Sequence, residues 1–450
     1  MKATPLLFAC FGLASAPTTQ ADWTPLFNGI DLTGWHQLNG RAPYTVVDDA
    51  IVGTAIADTP NSFLATDAVY GDFVFECEVK VEGSINSGVQ FRSLSTPDYR
   101  DGRVHGYQCE IDDKTARSWT GGIYDEARRG WLYPLELNPP SKSAYLPGRW
   151  THLRIECVGS SIRTWVNGIP AAHLIDSETA EGFIALQVHS IKAADATGRR
   201  IHWRNLRVRT DVMEPTPNPG FFIRNTMVNS LSAAEIAQGW RLLWDGRTSD
   251  GWRGANSDAY PTSGWTIVNG ALTVGGANQA ERIDLVTDER FSAFEFQTEF
   301  RVEKGGNSGI KYFLVESSGD DHQGTGLEYQ LLDDEGHPDA EKGAAGNRTL
   351  ASLYDLIPSR GVVATREVPR EAEVWHHARI VVHSSQQVEH WLNGFKVVEF
   401  ERGSPLFQAL VARSKYADIE GFASGCETSI LLQDHGDQVS FRSIKVRELN

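Results

Sequence analysis

The sequence Phe-Glu-Phe-Gln-Thr-Glu-Phe-Arg-Val, at residues 294–302, alternates mainly apolar side chains with polar or charged ones. Residues 73–81 repeat the pattern as Phe-Val-Phe-Glu-Cys-Glu-Val-Lys-Val. A period of two places one face of a strand in the core and the other in water. Many such runs are separated by tight turns such as Asn167-Gly168 and Asn393-Gly394. The pattern predicts an all-β fold built from hairpins, either a sandwich or a jelly roll.

The two halves of the chain carry the same landmarks in the same order. Leu26-Phe27-Asn28-Gly29 recurs 217 residues later as Leu243-Trp244-Asp245-Gly246. Three further pairs follow: Asn86-Ser87-Gly88 with Asn307-Ser308-Gly309, Trp165-Val166-Asn167-Gly168 with Trp391-Leu392-Asn393-Gly394, and Leu186-Gln187-Val188-His189 with Leu432-Gln433-Asp434-His435. Solenoid repeats have about 20–50 residues, so this much longer period indicates two tandem globular domains.

The first residues are typical of a secretory signal. Lys2 is followed by an apolar run over residues 6–14 and then by small residues suited to cleavage. We therefore expect an exported protein, periplasmic or extracellular. A lipid anchor at Cys10 is less favoured, because the apolar run before it is very short. The repeat predicts a signal peptide over residues 1–21, a first domain over 22–210, a linker over 211–239 and a second domain over 240–450.

The linker has a composition of its own. Its three prolines cannot continue a sheet and favour an extended chain; they are Pro215, Pro217 and Pro219. Ser232, with Glu235 three residues later, is the signature of a helix that begins with a capping box. Gly239 is suited to ending that helix. We expect one short helix just before the second domain.

Composition excludes several classes of function. The formal net charge of −16 over 450 residues argues against nucleic acid partners, which require basic patches. After the signal, no stretch reaches the roughly 18 apolar residues of a membrane span. The remaining cysteines lack zinc-site spacing. Cys77 and Cys157 fall on apolar strand faces, and buried thiols are favoured over a disulfide because the second half has no counterpart to either.

Polar side chains recur on matching strands of both halves. A spacing of two residues puts side chains on one face of a strand. The first half has Gln108, Glu110, Gln187 and His189, and the second half has Glu328, Gln330, Gln433 and His435. If each quartet shares a sheet, it presents a carboxylate, two amides and an imidazole to one concave surface, which suits a polyol and a proton transfer. The alternative is an ordinary solvent-facing side of a strand.

Other candidate residues accompany these quartets. Asn86 and Asn307 open the Asn-Ser-Gly motifs, and they either orient a ligand or simply close a turn. Lys311, two residues past Gly309, and Arg92 in the first half are cations that could stabilise developing negative charge. Ordinary surface charges are the alternative for both.

A divalent metal is a further option in the second half. Oxygen and imidazole groups are densest at Asp333, Asp334, Glu335, His337 and Asp339. Such a set could hold Ca²⁺, although no EF-hand pattern is present and an acidic surface loop is the alternative. Glu110-Ile111-Asp112 resembles the catalytic strand of concanavalin-like glucanases, but Thr115 is not acidic. A glycosidase with two paired carboxylates is therefore disfavoured.

At these residues the chain resembles the 3-keto-disaccharide hydrolase family, whose fold is a concanavalin/laminin-G-like jelly roll. The second half carries Gly326-Leu327-Glu328-Tyr329-Gln330-Leu331-Leu332-Asp333, His337-Pro338-Asp339-Ala340, Ser352-Leu353-Tyr354-Asp355-Leu356, Ser414-Lys415-Tyr416 and Leu432-Gln433-Asp434-His435-Gly436, besides the motifs quoted above. The first half matches at fewer motifs. It departs by exchanging Glu and Gln on the polar strand and by having Val188 where the second half has Asp434.

The resemblance implies two tandem jelly rolls that cleave 3-keto-glucosides, by 1,2-elimination to a 3-keto-2-hydroxy-glucal and by hydration of that glucal. A ketone at C3 acidifies the C2 proton, so a single base can start the reaction and no paired carboxylates are required. No cofactor is certain, and a divalent metal stays possible. Glu328 and His435 are the expected catalytic pair. The expected binding residues are Asn307, Lys311, Gln330, Asp333, Tyr354, Lys415 and Gln433 in the second domain, and Asn86, Arg92, Gln108, Glu110, Gln187 and His189 in the first.

Two questions stay open at this point. The second domain is the better family match, so we expect it to carry the stronger elimination activity, while the first binds sugar or performs hydration. The competing function is a tandem carbohydrate-binding module without catalysis. An enclosed pocket around a proton-transfer group favours the enzyme, whereas an open aromatic platform favours the binding module.

Overall fold

The computed structural model describes residues 23–112, 117–192, 196–211, 214–275, 281–315, 324–360, 362–363 and 366–449. The predicted signal peptide lies outside the described residues. Within the described residues, the helices are all too short or too polar to cross a membrane.

Strands dominate the first half and the linker. They are β1 (Thr24–Pro25), β2 (Trp35–Asn39), β3 (Tyr44–Val47), β4 (Ala50–Thr54), β5 (Ser62–Thr66), β6 (Phe73–Glu82), β7 (Ser87–Leu94), β8 (His105–Ile111), β9 (Ile123–Glu126), β10 (Gly130–Tyr133), β11 (Thr151–Val158), β12 (Ser161–Val166), β13 (Ile169–Ile175), β14 (Phe183–Val188), β15 (Arg200–Arg209) and β16 (Arg224–Asn225). Two short 3₁₀ helices lie at Leu135–Leu137 and Pro139–Ala144.

The second half repeats this composition. Its elements are α1 (Ala233–Ala237), β17 (Arg241–Leu242), β18 (Trp252–Gly254), β19 (Trp265–Val268), β20 (Ala271–Val274), β21 (Leu285–Thr287), β22 (Phe294–Val302), β23 (Asn307–Val315), β24 (Thr325–Leu332), β25 (Val362–Val363), β26 (Arg366–Glu367), β27 (His376–Val382), β28 (Gln387–Leu392), β29 (Phe395–Glu401), α2 (Pro405–Val411), β30 (Leu431–Leu432) and β31 (Val439–Glu448). A 3₁₀ helix spans Pro338–Glu341.

Each half forms a sandwich of a larger and a smaller sheet, and the two sandwiches have the same strand order. The larger sheets run β13-β12-β11-β6-β15-β4-β3 and β29-β28-β27-β22-β31-β20-β19. The smaller sheets share the order β8-β7-β14-β5-β2 and β24-β23-β30-β21-β18. The first half adds β9 and β10 to the edge of its smaller sheet, next to β8. The predicted tandem all-β sandwich fold is confirmed.

The alternating strands lie at the centre of the larger sheets and supply the core. On β6 the inward side chains Phe73, Phe75 and Cys77 are fully or almost fully buried, and Phe294 and Phe296 are equally buried on β22. Burial of one such side chain contributes about 1.5–3 kcal/mol relative to exposure. Cys77, Cys109 and Cys157 are buried free thiols, as favoured from the sequence, and Cys426 is exposed.

The linker contacts the outer face of the first larger sheet. The Thr216 backbone N–H donates to Glu156 Oε1 at 2.7 Å, and Arg163 Nη1 donates to the Pro217 carbonyl at 3.0 Å. Strand β16 then pairs in parallel with the edge strand β13. The predicted capping box is confirmed, since Ser232 and Glu235 exchange both hydrogen bonds at the start of α1.

Candidate functional site

The Asn-Ser-Gly motif begins the central strand of each smaller sheet, and its serine has the same partner in both halves. Ser87 Oγ donates to the Gln187 carbonyl at 2.7 Å, and Ser308 Oγ donates to the Gln433 carbonyl at 2.8 Å. Each serine therefore joins two strands, β7 to β14 and β23 to β30. The polar strands β8 and β24 lie on the other side of the same central strands. Gln108, Glu110 and Gln187 lie on strands of the first small sheet, and Glu328 and Gln330 lie on a strand of the second. The remaining members, His189, Gln433 and His435, lie one to three residues past the ends of β14 and β30.

The glycine of the motif makes room for a polar side chain. A Cβ added at Gly88 would lie 2.4 Å from Gln108 Cδ, and one added at Gly309 would lie 2.3 Å from Glu328 Oε1. Both distances are too short for real atoms. The absence of a side chain therefore lets Gln108 and Glu328 lie across the neighbouring strand.

Strand register shows that the carboxylate occupies different positions in the two domains. Gly88 is opposite Glu110, whereas Gly309 is opposite Gln330. The amide and the carboxylate nevertheless contact each other in both domains. Gln108 Nε2 donates to Glu110 Oε2 at 2.9 Å, and the Gln330 amide, turned so that both of its ends are satisfied, donates to Glu328 Oε1 at 3.1 Å.

The first domain holds a cavity of about 460 Å³ over its smaller sheet. Its lining residues are Pro60, Asn61, Asn86, Arg103, Gln108, Glu110, Arg117, Tyr124, Glu126, Trp131, Gln187, His189 and Ser190. The predicted first quartet and Asn86 therefore all reach the same cavity. The volume falls within the usual range for a small-molecule site.

Two buried carboxylates line this cavity: Glu126, which pairs with Arg103 at 3.2 Å, and Glu110. Glu110 Oε1 accepts hydrogen bonds from Asn86 Nδ2 and, at 2.9 Å, from Arg117 Nη2. Burial raises the pKa of Glu110 to about 7, Asp112 adds to the rise, and Arg117 and Asn86 oppose it. A carboxylate with this pKa is suited to taking up and releasing a proton near neutral pH.

Gln187 leaves an acceptor open to a ligand in the first cavity. Its Nε2 donates to Gln108 Oε1 at 2.9 Å, while its own Oε1 is buried without a hydrogen-bond partner among the described residues. In the second domain, Gln433 Oε1 is likewise buried without a hydrogen-bond partner among the described residues. A buried acceptor without a donor costs about 1–3 kcal/mol. A ligand hydroxyl could remove that cost in either domain.

The second domain has a smaller cavity, of about 130 Å³. Its lining residues are Lys311, Thr325, Gly326, Glu328, Lys415, Tyr416 and Ile419. Lys311 stands directly opposite Glu328 in the strand register, and its Nζ donates to the Gly324 carbonyl at 2.9 Å. Three predicted residues, Lys311, Glu328 and Lys415, meet here.

A buried aspartate adds negative charge behind this cavity. Asp284 accepts hydrogen bonds from the Asp434 N–H at 2.8 Å and the Gly324 N–H at 3.1 Å. Burial raises the pKa of Asp284 to about 6, while Lys311 opposes the rise. Asp434 stands where the first domain has Val188. Its backbone N–H helps to position Asp284.

Lys415 brings a second ammonium group close to Glu328. Its Nζ lies 4.2 Å from the centre of the Tyr354 ring and 5.0 Å from that of Tyr416. Burial lowers the pKa of Lys415, Lys311 lowers it further, and Glu328 opposes the shift. The Tyr354 hydroxyl donates to Asp339 Oδ2 at 2.6 Å, so this predicted binding residue also fixes the 3₁₀ helix.

His435 lies at the edge of the second site rather than in its cavity. Its side chain is 41% exposed, and its Nδ1 lies 3.8 Å from Asp437 Oδ2. Partial burial lowers the pKa of His435, with Arg282 and His337 adding to the effect and Asp437 opposing it. No hydrogen bond joins His435 to Glu328 in the part of the chain that the structure describes.

Asp333 has a structural position, not one that faces a ligand. Its Oδ2 accepts from the Gly305 N–H at 2.7 Å, and its Oδ1 accepts from the Glu335 N–H at 3.2 Å. Its expected role in substrate binding therefore lacks a free oxygen. Across the described residues, no group of three or more His, Cys, Asp or Glu side chains is placed to hold a metal ion.

The expected binding role of Arg92 needs correction. Strand register makes Gln90, not Arg92, the counterpart of Lys311. Arg92 sits at a register shift with a φ of 42°, and its buried guanidinium donates to the Gly71 and Gly159 carbonyls at 2.8 Å each. It also pairs with Asp72 at 3.0 Å. The bulge turns this side chain away from the cavity, and the arginine anchors loops instead.

Several lining residues were not predicted from the sequence. They are Asn61, Arg103, Arg117, Tyr124, Glu126 and Trp131 in the first domain, and Thr325, Tyr416 and Ile419 in the second. Most of them come from loops or edge strands where alternation gives no signal. Tyr416 stood within a quoted motif and could have been named with Lys415.

Comparison with known proteins identifies the family of both halves of the chain. A family model described as a 3-keto-alpha-glucoside-1,2-lyase-like domain matches residues 22–209 and again residues 239–447. A "3-keto-disaccharide hydrolase" from Bacteroides thetaiotaomicron is 35% identical over 256 residues, which cover 49% of this chain and 85% of that protein. A "putative glycosyl hydrolase" from Parabacteroides distasonis is 26% identical, with a TM-score of 0.43 over 50% of this chain and 100% of its own.

A carbohydrate-binding module, CBM66 from Bacillus subtilis, is 19% identical and gives a TM-score of 0.27 over 39% of this chain and 96% of its own.

The fold and the two cavities define a tandem β-sandwich protein with one candidate site in each domain. The two family matches together span most of the sequence. The chain belongs to the 3-keto-alpha-glucoside-1,2-lyase-like domain family.

Proposed function

We propose that the chain is a carbohydrate hydrolase that cleaves 3-keto-glycosides, beginning with abstraction of the proton at C2. The observation that carries the proposal is a buried carboxylate in each cavity, Glu110 or Glu328, that is hydrogen-bonded to a glutamine on the same strand. Family membership and the hydrolase named for the Bacteroides thetaiotaomicron relative support the same substrate class.

The chemistry needs one base in each site. A carboxylate takes the C2 proton, a double bond forms between C1 and C2, and the bond from C1 to the aglycone oxygen breaks. The departing oxygen takes up a proton and leaves as the free aglycone. Addition of water across the new double bond then gives 3-keto-glucose, so elimination and hydration together amount to hydrolysis. General acid–base catalysis typically contributes about 10²–10⁴-fold to such a step.

In the second domain we assign the base to Glu328. Lys311 and Lys415 flank it, and their positive charges would stabilise the negative charge that develops on the C3 oxygen. His435 is our proposed acid for the departing oxygen, from its position at the edge of the site. Because the pKa of His435 is lowered, its imidazole would take up a proton transiently and pass it to the departing oxygen.

The different carboxylate positions support a division of work between the domains. Two residues along a strand separate side chains by about 6.6 Å. A sugar bound in the same way in both domains would thus meet its base at a different atom. We propose that the second domain performs the stronger elimination and that the first performs hydration of the glucal besides a weaker elimination, with Glu110 as its base and Arg117 as its cation.

A second candidate function applies to the first domain alone. Tyr124 and Trp131 form an edge-on pair with ring centres 5.2 Å apart, and both line the larger cavity. Aromatic walls of this kind favour sugar binding, so the first domain would hold substrate without turning it over. We also infer export, which rests on residues 1–21 of the sequence.

The test compares the full chain with two single variants, Glu328→Gln and Glu110→Gln. A 3-keto-glucoside with a chromogenic aglycone reports elimination, and mass spectrometry of the sugar products reports glucal and 3-keto-glucose. We expect Glu328→Gln to leave only the weaker aglycone release of the first domain, and Glu110→Gln to release aglycone but accumulate the glucal. Cleavage that persists unchanged in the double variant would refute both assignments, and glucal that disappears normally in Glu110→Gln would leave the first domain as a binding module.

A further inference from the structure

A second cavity adjoins the first domain's site and has a different character. It encloses about 410 Å³ and is lined by Asn39, Gly40, Arg41, Pro60, Asn61, Phe63, Arg100, Asp101 and Arg103. Pro60, Asn61 and Arg103 also line the cavity that holds Glu110. The two cavities therefore adjoin each other, and Arg103 stands between them.

The charge of this second cavity is opposite to that of the protein. Three arginines and one aspartate line it, although the chain as a whole carries a net charge of −16. Arg103 pairs with Glu126 at 3.2 Å. Arg41 donates to the Asp58 carbonyl at 3.3 Å, and Arg100 lies over the Tyr99 ring at 5.4 Å. Among the described residues, neither Arg41 nor Arg100 forms an ion pair, and Asp101 is the one carboxylate that lines the same cavity.

The loop that carries Arg100 is held in an unfavourable backbone conformation. Arg100 and Asp101 have φ values of 46° and 56°, and Gly102 follows at 79°. Side chains rarely adopt the left-handed region, and strain of this kind concentrates at functional sites. The loop is fixed by Asn39, whose Nδ2 donates to the Gly102 carbonyl at 3.1 Å and whose Oδ1 accepts from the Val104 N–H at 2.8 Å. The fold thus maintains Arg100 at the rim despite the strain.

We propose that this second cavity is a leaving-group subsite of the first domain, which binds an aglycone bearing an anionic group such as a carboxylate or a sulfate ester. The inference rests on the proposed function, because it places the keto-sugar beside Glu110 and lets the glycosidic bond point toward Arg103. Phe63 supplies an apolar floor for the body of the aglycone, and Arg41 and Arg100 pair with its anion.

The test uses the full chain and three 3-keto-glucosides whose aryl aglycones differ at one substituent: a carboxylate, a sulfate ester and a neutral carboxamide. In a Glu328→Gln background, where only the first site releases aglycone, we expect the anionic aglycones to be favoured by about tenfold in kcat/KM, since each exposed ion pair contributes a few-fold. The preference should shrink as salt is added. The variant Arg41→Gln/Arg100→Gln should lose the preference and keep its activity on the carboxamide, whereas Arg149→Gln, a matched change at another exposed arginine, should behave as wild type.

Binding separates failure of the subsite from failure of the reaction. If no glucoside is cleaved, the proposed function fails, and calorimetry with 4-hydroxybenzoate and 4-hydroxybenzamide still tests the subsite. Tighter binding of the benzoate, lost in the double arginine variant, supports it. Equal affinity for the two compounds, or equal kcat/KM for anionic and neutral glucosides, overturns it. A preference for only one of the two anions supports the subsite and identifies which anion it accepts.

Discussion

Substituting Gly309 by alanine should damage catalysis at the second site without unfolding the domain. The new Cβ would lie 2.3 Å from Glu328 Oε1 and 2.9 Å from its Cδ, whereas ordinary contacts begin at 3.4 Å. The carboxylate must therefore move by about 1 Å. Gly309 does not have a positive φ, so the backbone itself accepts alanine. The cost to folding should resemble other small overpacking changes, about 1–3 kcal/mol.

The effect on turnover should be much larger than the effect on stability. A misplacement of about 1 Å in a catalytic group can cost about 10²-fold in rate. Aglycone release from a chromogenic 3-keto-glucoside should fall by that factor in Gly309→Ala, measured in a Glu110→Gln background so that only the second site contributes. Urea unfolding should show that the domain still folds.

Two matched glycine variants serve as controls. Gly71→Ala introduces a Cβ whose nearest neighbour is 3.8 Å away, so it should change nothing. Gly88→Ala displaces Gln108 in the first domain and should leave the second site untouched. A folded Gly309→Ala protein with turnover within threefold of its parent would refute the view that this glycine positions a catalytic Glu328.

Three further predictions concern other groups. Glu328→Gln should lower turnover at the second site by about 10²–10⁴-fold while substrate still binds, and His435→Ala should act similarly. The catalytic assignment is wrong if both variants keep their turnover within a few-fold of wild type. Activity of the first site should rise as pH increases through about 7, because Glu110 must lose its proton. A flat activity profile between about pH 5 and 9 would contradict this prediction. Folding raises the pKa of Glu110 above its ordinary value of 4.5, so the free energy of unfolding should be highest below pH 4.5 and should fall as pH rises through about 7. Unfolding measurements on Glu110→Gln should not show this pH dependence. Glu235→Ala should cost about 3–5 kcal/mol of unfolding free energy, because it leaves Lys445 buried without its carboxylate; exposed Glu281→Ala is the control and should cost about 0.5 kcal/mol at most.

Features that repeat along the sequence were predictable, because strand geometry converts them directly into position. Alternation on β6 and β22 identified the core strands, and the Ser232 capping box identified the start of α1. The polar quartet of the first domain was found by the same period of two. Each of these inferences depends only on neighbours within a few residues.

Features that depend on distant segments were not predictable. By the alternation of its strand, Arg92 should point to the same side as Gln90. A bulge at Arg92 turns its side chain away from that side, and no pattern in the sequence marks the bulge. Lys415 was expected only from the family resemblance and Tyr416 was not expected, because both come from a loop after α2, far along the chain from Glu328. Arg117 reaches Glu110 from a loop with no regular spacing. Cavity size, which differs between the domains, follows from such loops.

The exchange of glutamate and glutamine between the two domains also has a genetic consequence. Codons for these two amino acids differ only in their first base, so a duplicated gene can relocate the charge along the strand in two single-base changes. The intermediate with two glutamines retains an amide at both positions, whereas the intermediate with two glutamates places like charges side by side in a buried cavity. The tolerated route therefore passes through a folded copy without a base, and only a chain whose other copy continues to work could have survived that step.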